Sequence, residues 1–163
     1  MDESLAELGA LLANRQVAAL GTIHDGAPYV SAVPFALLED GSAFVIHVSE
    51  LAAHTGDMLA DPRVSLLVLA PEGPKTQPQS IRRLTVLGRA SQVEDDTPLH
   101  SRAKARYLER FPDAAPIFDL GGFSLFRIVP ESLRWIGGFA GAQTLGSEAL
   151  VQAVRSGKAS GGE

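Results

Sequence analysis

Leu5, Leu8, Leu11 and Leu12 recur at the spacing of one helical face, and Ser4 with Glu7 reads as a capping box before them. An amphipathic helix lying on a core is therefore predicted at the start of the chain. The period then changes. Val17 to Ile23 is short and apolar, Asp25-Gly26 is a hairpin signal, and Tyr29 to Leu38 returns as a second strand. Pro34 within that strand cannot donate to a ladder, which places it at an edge, a bulge or a gap facing a ligand. Glu39-Asp40-Gly41 turns the chain again and Ala43 to Val48 forms a third strand, so the three make an antiparallel meander.

A short helix is predicted within residues 49–62, stopped by Pro62. Val64 to Ala70 is a nearly continuous apolar strand. The run PEGPKTQPQS (71–80) reads as an exposed loop, after which Ile81 to Leu87 resumes as a strand. Gly88 permits a bend or bulge before Ala90 to Val93. Thr97-Pro98 starts a helix with a cap followed by proline, and Phe111-Pro112 ends it. Phe123 to Val129 and Leu133 to Ile136 are two further strands split by Pro130, and Ser147 to Arg155 forms a last helix. Residues 1–155 make one domain, and the small, polar stretch 156–163 reads as a disordered tail. No internal repeat occurs. The order of elements is not the alternating pattern of a doubly wound sheet, and it favours a mostly antiparallel barrel with peripheral helices.

Composition narrows the function classes. With 45% hydrophobic and 20% charged residues, the chain of 163 has a globular composition. It has no cysteine, which excludes a disulfide framework, a thiolate metal site and a cysteine nucleophile. The segment MDESLAELGALLANR carries acids where a signal peptide would carry basic residues, and no apolar run is long enough to span a bilayer. A cytoplasmic location without membrane contact is the expectation. The net charge of −5 argues against non-specific nucleic-acid binding.

Gly137, Gly138 and Gly141 lack the G-x-G-x-x-G spacing of a dinucleotide loop, and they shape either a tight bend or a close backbone approach to a flat ligand. His24 beside the hairpin reads as solvent-facing, and His100 falls on a polar helix face with Arg102, Lys104, Arg106 and Arg110. His54-Thr55, near the start of the short helix, fits either a phosphate cradle or plain capping. Arg82-Arg83 is a solvated edge or a partner for phosphate or an electron-rich ring. Trp135 reads as core. No compact metal pattern or nucleophile elbow is present, so no metal site is expected and the catalytic residues stay unassigned.

The runs VAALGTIHDGAPYVSAVPFAL, HVSELAAHTGDMLADPRVSLLV and RLTVLGRA resemble the pyridoxamine 5′-phosphate oxidase-like, FMN-binding split-barrel superfamily. The stretch RYLERFPDAAPIFDLGGFSLFRIVPESLRWIGGFAGA resembles its haem-utilisation branch. The resemblance implies a mainly β (α+β) fold, a six- to seven-stranded antiparallel split β-barrel. It also implies a homodimer with FMN at each of two intersubunit sites, acting as an oxidoreductase on a small-molecule substrate. The second strand would present its backbone at Ser31, Ala32, Val33 and Pro34 to the isoalloxazine edge, and Val48, Ser49, Ala53, His54 and Thr55 would hold the ribityl and phosphate groups. Arg83 would approach the flavin, and Gly138 and Phe139 would close the site.

The same resemblance carries departures. The oxidases proper place arginine and lysine where this chain has Ala53 and His54, and the branch pattern places a basic residue and asparagine where it has Gly56 and Asp57. A carboxylate beside a phosphate repels it unless it points away. Relatives with haem activity use a histidine near the C-terminus as iron ligand, whereas no histidine follows His100 here. The alternatives to an FMN oxidoreductase are a haem-binding or haem-utilisation protein using the same dimer cleft, and a cofactor-less interaction module.

Overall fold

The computed structural model describes residues 2–138 and 141–160. In chain order they form α1 (Asp2–Asn14), β1 (Val17–His24), β2 (Ala27–Pro34), β3 (Ala36–Leu37), β4 (Phe44–Ser49) and α2 (Ala53–Ala60). There follow β5 (Arg63–Leu69), β6 (Arg83–Gln92), α3 (Pro98–Arg110), α4 (Ala115–Leu120), β7 (Phe123–Ile136), β8 (Ala142–Leu145) and α5 (Glu148–Ser160). The strands pair in the order β2-β1-β5-β6-β7-β4-β3, with β8 alongside β7, and every pairing is antiparallel. This is a mainly β split barrel with peripheral helices, carrying one short strand more than the sequence suggested.

The β1–β2 hairpin turns at Asp25 and Gly26, both with positive φ (50° and 78°), the backbone that an Asp-Gly pair tolerates best. The strand expected over Tyr29 to Leu38 is divided. Pro34 is the last residue of β2 and pairs with Val17 on this outer strand, where a missing N–H costs no ladder bond. Phe35 is fully buried and donates its N–H to the Gln16 carbonyl at 3.0 Å. Beyond it the chain pairs with β4, at the other end of the strand path. One residue therefore joins the two ends of the sheet.

The two strands expected around Pro130 are a single strand of 14 residues. Pro130 lies opposite Gly88, where the β6–β7 register shifts, so the bulge expected at Gly88 takes up the ladder bond that proline cannot make. Strand β6 likewise runs unbroken from Arg83 to Gln92. Helix α4 and strand β8 were not anticipated, because each is short and lies among glycines and prolines. The capping box is not formed. Ser4 already lies within α1, and Glu7 pairs with Arg82 at 3.0 Å. Thr97 caps α3 as expected, accepting from the His100 N–H at 3.1 Å. The last helix runs to Ser160, five residues into the stretch read as a tail.

Inside the barrel, Leu8 and Leu12 of α1 and Leu150 and Ala153 of α5 pack on Leu20, Phe35, Phe44, Ile46, Leu66, Leu84, Phe126 and Trp135. Burying side chains of this size stabilises by about 1.5–3 kcal/mol each. On the other side of β4, Val45 joins Leu125, Ala103 and Tyr107 in a second cluster beneath α3. The basic residues of α3 are only partly a solvated face. Arg106 and Arg110 turn inward and donate to the carbonyls of Leu37 and Leu12, both at 2.9 Å, along stems that cover apolar surface. Among the described residues no helix is long and apolar enough to cross a membrane.

Candidate functional site

Strand alternation sends Ala18, Leu20 and Thr22 of β1 inward, and Thr22 is the polar member of that buried row. A buried hydroxyl needs a partner, and Asp57 supplies it from α2. Asp57 Oδ2 accepts from Thr22 Oγ1 at 2.8 Å, while Oδ1 lies 2.7 Å from His24 Nδ1. The Asp57 side chain is 8% exposed and the His24 side chain 43%. Burial pushes the Asp57 carboxyl upward, but the hydrogen bonds from His24 and Thr22 outweigh it and hold the group below the usual range. The same hydrogen bond, with the Asp57 charge, raises His24. The Tyr29 ring packs on the His24 ring, with centroids 5.2 Å apart.

One turn earlier on α2, His54 Nδ1 lies 3.0 Å from Ser31 Oγ on β2. Burial lowers the His54 imidazole, with Asp57 acting weakly against it. Two polar ties therefore fasten α2 to the β1–β2 hairpin, and among the described residues neither imidazole Nε2 has a buried partner.

The residues expected at the site fall into separate groups. Ser31 and His54 meet. Val33 and Val48 point into the core. Ala32 and Pro34 alternate to the outer sheet face, which Arg83 shares, its Nη1 donating to the Ile81 carbonyl at 2.9 Å. Ala53 is exposed at the first turn of α2. Thr55 is buried, and its hydroxyl donates to the Ser49 carbonyl at 2.6 Å, so it neither caps α2 nor stays available to a phosphate. Gly138 follows β7 with a φ of 131°, and Phe139 lies outside the described residues.

Sequence reasoning missed Thr22, His24 and the direction of Asp57. His24 is not simply solvent-facing, and the Asp57 carboxylate turns away from the start of α2 toward β1. The available signal was a threonine in register with Ala18 and Leu20 on a buried face. His47, on β4, occupies a different place. It stacks on Phe118 of α4 with ring centroids 3.8 Å apart at 3°, and Tyr107 and Phe123 flank it. Burial pushes it down to about 4, with further lowering from His100 and Lys104.

The model of the pyridoxamine 5′-phosphate oxidase family matches residues 4–136. The heme oxygenase HutZ of Vibrio cholerae is 31% identical over 142 residues, covering 86% of this chain and 80% of that protein. The chloroplastic heme oxygenase HOZ of Arabidopsis thaliana is 36% identical over 119 residues, which are 73% of this chain but only 35% of that protein. A solved structure of a heme-binding protein from Mycobacterium smegmatis superposes with a TM-score of 0.80 at 29% identity, covering 91% of this chain and 60% of the other. These relatives are named for haem, and that overturns the expectation of an FMN-binding flavoprotein oxidoreductase. The physical reason lies in the first turn of α2. No cation stands at Ala53, the Thr55 hydroxyl is committed to Ser49, and burial disfavours a charged His54.

Proposed function

The chain belongs to the pyridoxamine 5′-phosphate oxidase family, and from that premise we propose that it is a haem-binding protein of the haem-utilisation kind, working as a homodimer. The observation that carries this reading is the shared haem designation of relatives at 29–36% identity. The donor set fits such a ligand. Haem iron takes a neutral imidazole as axial ligand, and α2 and the hairpin together hold two, each tethered at Nδ1. Thiolate ligation is excluded, since the chain has no cysteine. Bound haem would supply iron chemistry toward small ligands such as oxygen. The protein's part is to orient rings: Asp57 fixes His24 and Ser31 fixes His54.

The proposed partner is a second copy of the chain. The outer face of the β1–β2 hairpin consists of Val17, Ala19, Gly21, Ile23, Pro28, Val30, Ala32 and Pro34, without one polar side chain. Val30 is 69% exposed there, and Leu87 of β6 extends the same face at 53%. An apolar hairpin face of this kind, with Leu67, Leu69 and Leu87 beyond it among polar residues of β5 and β6, suits an isologous contact with itself. Strand β2 would border both regions, presenting Ser31 to α2 and Ala32 to the partner. That is the basis for proposing the ligand site at the subunit boundary. A chain without cysteine also suits the reducing cytoplasm proposed as its location.

Titration of the purified protein with ferric haemin tests the reading. A saturable Soret band at a fixed ratio of haem to chain is expected. Absorbance that rises without saturation, like that of free haemin, would overturn it.

A further inference from the structure

Of the four histidines, His47 is wedged against Phe118 among Tyr107 and Phe123, and His100 Nε2 lies 3.2 Å from Asp95 Oδ1. His54 is half-buried and leans on a neutral hydroxyl. His24 differs from all three. Its Nδ1 is bound to a buried carboxylate that is itself held by Thr22. Among the described residues its Nε2 meets only Asp25 Oδ2 at 3.5 Å, on a side chain 94% exposed, a contact of a kind worth little in water.

We propose that His24 is the imidazole that ligates haem iron through Nε2, with Asp57 as its positioning residue. The proposal rests on the haem-binding reading above. Imidazoles that bind metals characteristically give their other ring N–H to a carboxylate, which fixes the tautomer and strengthens the ligand. Among the described residues, only His24 and Asp57 meet that requirement with a buried acid. Thr22 completes it by keeping Oδ2 occupied, so Oδ1 is left to the ring. The neighbouring Tyr29 ring, 40% exposed, offers apolar surface beside the imidazole. No histidine follows His100 in this sequence, so a histidine ligand within it is one of the four already placed.

The test is haemin titration of the full chain, read by absorption in both oxidation states and by the iron–histidine stretch of the ferrous form in resonance Raman. His24→Asn is the main variant, because its amide still donates to Asp57 and keeps α2 tied to β1. It should lose the iron–histidine band and bind haemin at least about tenfold more weakly, a difference of about 1.4 kcal/mol. Added imidazole should restore the wild-type spectrum. His54→Ala should retain the band. Asp57→Asn should retain it at lower frequency, since the ring becomes less anionic. A wild-type band that survives in His24→Asn, or disappears in His54→Ala, would overturn the assignment while leaving haem binding intact. A wild-type protein that takes up no haemin would overturn the functional reading itself.

Discussion

Asp57 Oδ1 lies 2.7 Å from His24 Nδ1, so a carboxylate of α2 fastens the end of strand β1. Replacing Asp57 by alanine strands the buried Thr22 hydroxyl as well as releasing His24. A loss of about 1–3 kcal/mol is expected in urea or thermal unfolding. The pH dependence follows from the two shifts. His24 is raised, so its contribution is complete below 6.5 and fades as pH rises through the folded value. Asp57 is lowered, so its contribution is complete above 3.8 and fades as pH falls through the folded value. The stability gap between wild type and Asp57→Ala should therefore be widest between pH 3.8 and 6.5.

Gly88 and Gly21 should answer differently to alanine. A Cβ on Gly88 would stand 2.6 Å from the Val129 carbonyl oxygen, which is backbone held in the β6–β7 ladder. Gly88→Ala should cost about 1–3 kcal/mol. At Gly21 the added carbon meets the Ser65 hydroxyl, a side chain that can rotate. Gly21→Ala should stay within about 1 kcal/mol, and parallel denaturant titrations would measure both.

His47 should make the protein acid-sensitive. Its folded value of about 4, against 6.5 when unfolded, means that the unfolded chain binds the extra proton first. Stability is complete above 6.5 and falls as pH drops toward 4, by at most about 3 kcal/mol from this group. His47→Phe, which keeps a ring against Phe118, should flatten the profile over that interval. An unchanged slope in thermal melts from pH 7 to 4 would assign the acid sensitivity to other groups.

Val30→Asp places a charge in the middle of the apolar outer face. Sedimentation equilibrium should find the wild type as a dimer and this variant as a monomer with unchanged far-ultraviolet circular dichroism. A variant that remains dimeric would move the interface to another face of the molecule.

Much of the barrel could be read from local chemistry. Asp25-Gly26, Thr97-Pro98 and Pro62 each carry a backbone constraint that acts within a few residues, and each marks a boundary in the structure. The strand through Pro130 was misjudged for the opposite reason. What permits proline there is Gly88, which lies 42 positions away in sequence and opposite it in the ladder. The site divides the same way. His54 was noted beside a helix start, whereas Ser31 entered only through the family resemblance and its hydroxyl meets His54 across the packing of α2 on β2. Thr22 and His24 acquire their role only when α2 lies across β1, and adjacency in sequence does not record that packing. The side chains of Ser31 to Pro34 are dealt alternately to two faces by the two-residue period of the strand.

The junction at Phe35 also bears on how the chain reaches its fold. Because one residue links β2 to β3, the seam of the barrel is closed by contacts within residues 16–45. The long-range search is left to β4 and β7, whose partners Phe44 and Ile128 must find each other across the intervening helices and strands. Closing a long loop before its contacts form is what slows such topologies. The rate-limiting event should therefore be the docking of β7, with the seam already formed, so substitutions along β4 and β7 should retard folding more than equally destabilising ones in the hairpin.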